Sequence, residues 1–139
     1  MGKLKYFGVY FTPFLALISL NSSGIMAYFG IFVLYLAIPI FEVVLPKDSY
    51  NLNKAEKELA KSDWFYDFVL YLLVPLHLYV VYVFLFAVSN PDIGSADLIA
   101  YVLMMGTVLG VNGINGGHEL GHKIGEPFKL FMAHVLLTT

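Results

Sequence analysis

Residues 64–88 read WFYDFVLYLLVPLHLYVVYVFLFAV, a run whose one charge, Asp67, lies close to its start and whose other interruptions are Pro75 and His77. A helix of about 20 apolar residues crosses the roughly 30 Å hydrocarbon layer of a bilayer, so this stretch is long enough to span with some tilt. The whole chain has the same character. Its 139 residues are 59% hydrophobic and 13% charged, with a mean hydropathy of +0.76, against about 45–50% and about 25% in soluble domains. The composition is that of an all-α integral membrane helical bundle. A formal net charge of -2 and aromatic residues set inside apolar runs, not between basic ones, give no footprint for nucleic acid. The chain has no cysteine, which excludes disulfides, iron–sulfur clusters and thiol nucleophiles and leaves His, Asp and Glu as its strong metal ligands.

Working outward, residues 6–41 carry no charge and divide at the polar turn Asn21-Ser22-Ser23-Gly24. Four spans are expected, over about 6–20, 25–45, 64–88 and 97–117, with a hydrophilic loop at 46–63. Within that loop, residues 53–61 mix Lys and Glu at helical spacing and read as a solvated surface helix. Every lysine falls on one side of this arrangement: Lys3 and Lys5 before the first span, Lys47, Lys54, Lys57 and Lys61 between the second and third, Lys123 and Lys129 after the fourth. The excess of basic residues in cytoplasmic loops then puts the N-terminus and residues 118–123 in the cytoplasm. The basic start and apolar run of residues 1–20 also fit a cleaved leader, but Pro13 and the lack of a clear small-x-small site favour a retained anchor. Residues 126–139 look amphipathic or like the start of another element and stop without a cap, so the chain reads as a fragment.

The chemistry is concentrated in GHELGHK, which contains His118, Glu119, His122 and Lys123. On a helix, His118 and His122 at i and i+4 share a face and can reach one metal ion or two adjacent ones. Imidazole suits iron, zinc, copper and nickel, so ligand type does not name the metal. HELGH also satisfies H-E-x-x-H, the zinc-protease pattern in which Glu is the general base. Ionisable groups at a membrane boundary are costly and usually functional, which favours ligands over ordinary interfacial histidines. Two imidazoles do not complete a site. His77, in mid-span, could be a ligand or support one, although a hydrogen-bonded structural role is the more ordinary reading. His134, in the last segment, is assigned no metal role.

Asn112-Gly113-Ile114-Asn115-Gly116-Gly117-His118-Glu119-Leu120-Gly121-His122-Lys123 resembles the first histidine box of the membrane-bound alkane 1-monooxygenases. Pro39-Ile40-Phe41-Glu42 and Val74-Pro75-Leu76-His77 resemble that family's second-span and third-span motifs at fitting separations, so the likeness covers nearly the whole chain. The resemblance is to the N-terminal third of such an enzyme. It implies a six-helix parent with a non-haem centre of two iron ions at its cytoplasmic end, His118 and His122 as iron ligands and Glu119 orienting an imidazole. It also implies later boxes of the EHxxGHH and HxxHH kind. Neither occurs in these 139 residues, so activity is expected of a longer parent and not of this stretch alone.

The activity that the resemblance implies is hydroxylation of the terminal methyl of medium- or long-chain n-alkanes to 1-alkanols. O2 is the co-substrate. Electrons would come from rubredoxin and rubredoxin reductase, with docking on the lysine-rich cytoplasmic face of a bacterial inner membrane. An alkane partitions into membrane lipids and can reach the site through an apolar channel, for which Leu34 is a weak candidate beside the ordinary lipid- or helix-facing reading. Related histidine-box enzymes (xylene monooxygenases, fatty-acid desaturases, lipid hydroxylases) are the nearest alternatives. An intramembrane zinc metalloprotease and a purely structural membrane subunit are more distant.

Overall fold

The computed structural model describes residues 4–45, 64–121 and 126–139. Helix α1 is Phe11–Leu20, led in by a 3-10 stretch, Leu4–Tyr10. Helix α2 is Gly24–Val44, α3 is Trp64–Val88, α4 is Ser95–Gly121 and α5 is Pro127–Leu137. Helices α2, α3 and α4 are long and apolar enough to cross a bilayer, while 6–20 and α5 are shorter apolar helices. No strand occurs among the described residues. The protein is an all-α integral membrane bundle. Its outward faces are those of a lipid-exposed surface, with Val43 87%, Ile25 78% and Phe86 74% exposed. The expected surface helix at 53–61 lies outside the described residues.

Helices occupy the four stretches expected as spans, but only three are long and apolar enough to cross a bilayer, the first, 6–20, being shorter. The fourth span does not stop at 117 but continues through Gly121, so His118 and Glu119 belong to its last turn. Prolines and polar groups explain the irregularities. Pro39 cannot donate to the carbonyl four residues back, and a π-helical stretch, Val33–Ala37, precedes it and widens the helix there. Pro13 likewise leaves the Val9 carbonyl without its usual donor, and Asn112 of α4 bonds that carbonyl through Nδ2 at 2.8 Å.

Two sets of contacts fix which helix ends lie together. At one end, Gly24 begins α2 at φ 61°, where a side chain would be strained, and donates its N–H to Asp97 Oδ1 at 2.8 Å. The Tyr101 hydroxyl donates to Ser22 O and the Tyr28 hydroxyl to Ala96 O, at 2.7 Å each. The lysine-free turns at 21–24 and 89–94 are therefore neighbours. At the opposite end the Tyr10 hydroxyl donates to Val69 O at 2.6 Å, Phe7 packs edge-on against Phe65, and Lys129 meets Asp67. The start of α1, the start of α3, the end of α4 and the start of α5 thus share this end.

Between the two ends, α1, α2, α3 and α4 bury Leu15, Ala16, Leu20, Ala27, Val80, Ala100, Met104 and Val108 in one core. Helix α1 is part of that core. The helices approach closely at Gly30, where a Cβ would lie 2.6 Å from Met104 Sδ, 2.9 Å from Ser19 Oγ and 3.3 Å from Leu15 O. Its N–H donates to Ser19 Oγ at 3.0 Å. Met104 is fully buried and cannot swing clear. Gly30→Ala should therefore destabilise the protein by about 1–3 kcal/mol. Gly106→Ala, where a Cβ meets nothing within 4 Å, should be neutral or slightly stabilising. Thermal unfolding of both variants in detergent micelles checks the contrast, and equal effects would remove the packing argument.

Candidate metal site at the end of the fourth helix

The glycine-rich lead-in to the histidines is a packing surface. A Cβ on Gly113 would lie 3.2 Å from Leu136 O, one on Gly116 3.3 Å from Leu136 Cδ1 and Leu73 Cδ2, and one on Gly117 2.7 Å from Leu137 Cγ. Small residues spaced in this way let helix backbones approach, and here they seat α5 against α4 as an antiparallel hairpin. A second core of Leu70, Val74, Leu120, Ala133 and Leu136 joins α3, α4 and α5 beneath this seam.

Burial of Leu120 sets the direction of the histidine. At about 100° per residue, position 118 lies some 200° around the helix from position 120. With Leu120 fully buried, His118 is turned outward and is exposed, while Glu119 between them is half-buried. His122 and Lys123 lie outside the described residues. Imidazole is a donor that iron accepts, so the chemistry of His118 fits an iron site. Among the described residues no group of three or more His, Asp or Glu side chains could hold a metal ion.

The other histidines are held elsewhere. His77 is fully buried on α3, its ring facing Gly113 of α4, and its Nε2 bonds Thr139 Oγ1 at 2.9 Å. Gly113 precedes His118 by five residues, about 7 Å of helix, so His77 lies inward of His118 and not beside it. His134 is exposed on α5 and bonds the Leu130 carbonyl through Nδ1 at 2.7 Å. Leu34 lies on the π-helical stretch of α2, half-buried against the core of α1, α3 and α4.

Sequence reasoning counted Lys129 for topology and missed its partner. Only 4% exposed, Lys129 donates to Asp67 Oδ2 at 2.7 Å and to Glu126 at 2.7 Å from Oε2. Asp67 is 19% exposed and Glu126 55%. The charges of α3 and α5 therefore meet at the end of the bundle that holds His118. Opposite charges near the starts of two apolar segments were the available signal. Breaking a buried pair leaves an uncompensated charge, whereas an exposed partner matters little. Lys129→Met should thus cost on the order of 3 kcal/mol, Glu126→Gln roughly 0.5 kcal/mol or less, and Lys129→Met with Asp67→Leu should recover much of the first loss. Chemical denaturation in micelles measures all three, and a harmless Lys129→Met would overturn the assignment.

The fold and site define a polytopic α-helical membrane protein with a histidine-bearing helix end. Its sequence is similar to alkane 1-monooxygenases over nearly its whole length. It is 30% identical over 128 residues to alkane 1-monooxygenase 1 of Alcanivorax borkumensis, covering 91% of this chain and 31% of that protein. With the alkane 1-monooxygenase of Pseudomonas putida it shares 29% identity over 144 residues, covering 99% of this chain and 35% of that protein. With the alkane 1-monooxygenase of Acinetobacter baylyi it shares 30% identity over 100 residues, covering 71% of this chain and 24% of that protein. The chain spans about a third or less of the length of these curated relatives. No family model matches it.

Proposed function

We propose that the protein is part of an iron-dependent membrane monooxygenase that hydroxylates the terminal methyl of n-alkanes to 1-alkanols. The observation that carries this reading is the similarity to proteins named alkane 1-monooxygenase across 91% and 99% of the chain. The reaction consumes one O2, two electrons and two protons for each alkane, and releases the alcohol and one water. In this reading His118 and His122 hold iron at the end of α4, and the remaining ligands come from outside the described residues. Two iron ions, when bound, supply the O2 activation that an unactivated C–H bond requires.

The chain's own residues serve that reaction physically. Leu120 and the glycine seam fix the last turn of α4 so that His118 faces out of the helix packing. Glu119, half-buried next to it, orients an imidazole by accepting its second N–H. The apolar spans let a hydrocarbon arrive from the bilayer without crossing water. Leu34 limits the length of alkyl chain that fits. Rubredoxin, reduced by rubredoxin reductase, delivers electrons at the lysine-rich end, which faces the cytoplasm of a bacterial inner membrane.

In the full-length protein, His118→Ala should lower bound iron and cut octane hydroxylation by more than the about 10–100-fold typical of an outer-shell change, with membrane insertion intact. Iron analysis and product chromatography read both effects, and full retained activity would sink the ligand role. Leu34→Ala should extend the accepted alkane by roughly the three carbons removed. An unchanged chain-length profile would take Leu34 out of the channel.

A further inference from the structure

We infer that a single internal water molecule is bound where α1, α3 and α4 meet, donating one hydrogen to His77 Nδ1 and the other to Asn112 Oδ1. Both side chains are fully buried, and these two atoms have no hydrogen-bond partner in the protein. Their chemical character follows from the bonds that their neighbours make. The Thr139 hydroxyl donates to Leu136 O at 3.1 Å, so toward His77 Nε2, 2.9 Å away, its oxygen accepts. Nε2 therefore carries the ring hydrogen, and in a neutral imidazole Nδ1 is a bare acceptor. Asn112 Nδ2 points to the Val9 carbonyl, which can only accept, so the amide orientation is fixed and Oδ1 is the atom left over.

Two orphaned acceptors cannot bond each other. A cation or a molecule with two donor hydrogens satisfies both, and an alcohol, with one hydroxyl hydrogen, does not. Water is the small double donor that enters protein interiors, where it typically bonds two to four otherwise unsatisfied polar groups. The His77 ring lies against the residue next to Asn112: a Cβ on Gly113 would lie 3.5 Å from His77 Cε1. Glycine there lets the imidazole approach the α4 backbone. Asn112 lies in the second π-helical stretch, Leu109–Ile114. This inference does not depend on the proposed reaction.

The test is solid-state NMR of the full-length protein in lipid bilayers with labelled histidine, assigning the ring through Leu76–His77, the one Leu-His pair in this sequence. The expected result is a neutral ring with hydrogen on Nε2, a bare Nδ1 shifted as a hydrogen-bond acceptor, and a cross-peak from bound water to that ring. Asn112→Leu should remove the water cross-peak while leaving the His77 tautomer unchanged. A protonated Nδ1, or no water contact in the wild-type protein, would overturn the inference. So would His77→Leu lowering the iron content of the purified protein, because Nδ1 would then be a metal ligand. If Asn112→Leu does not fold, the wild-type spectrum alone still decides.

Discussion

Inside hydrocarbon a polar group has no water to bond, and each one left unpaired costs several kcal/mol. The seams of this bundle are organised by that constraint. Tyr10 reaches the Val69 carbonyl, Asn112 the carbonyl that Pro13 leaves open, Tyr35 the Thr107 hydroxyl, and Lys129 the Asp67 carboxylate. Each bond joins two different helices. The apolar effect that drives a soluble core gives little preference for helix over lipid, so these bonds and the close contacts at glycine determine which helices neighbour one another.

The same two devices place the chemical end of the molecule. Glycines 113, 116 and 117 bring α5 against α4, and the Lys129–Asp67 pair holds the start of α5 against the start of α3. Leu120 is thereby buried, and the face opposite it carries His118. A histidine at the end of a long unsupported helix would be poorly oriented. Here the helix end is supported on two sides, by α3 and by α5. The glycine- and asparagine-rich lead-in, in sequence only part of a family-like motif, has a separate reason in each residue: glycine for approach and Asn112 for an open carbonyl.

Much of the architecture was legible because it follows from one-dimensional quantities. Apolar runs of sufficient length with few charges located the long helices, and the polar breaks at 21–24 and 89–94 proved to be neighbours at one end, as the lysine pattern required. The continuation of the last helix through His118 was less legible, because Gly116 and Gly117 look like helix-ending residues until α5 is seen packed against them. Lys129 read as a topological marker, since nothing in its local sequence says that it is 4% exposed.

By itself the sequence determined the membrane medium, the helical class, the approximate span limits and the residue types that could hold a metal, because hydropathy, helix length and side-chain chemistry are local properties. The tertiary structure decided which polar groups meet: Lys129 with Asp67, Asn112 with Val9, and His77 with the α4–α5 seam rather than with His118. Those pairings join residues 62 to 103 positions apart in the chain. Such distances are set by helix packing, which no local pattern encodes.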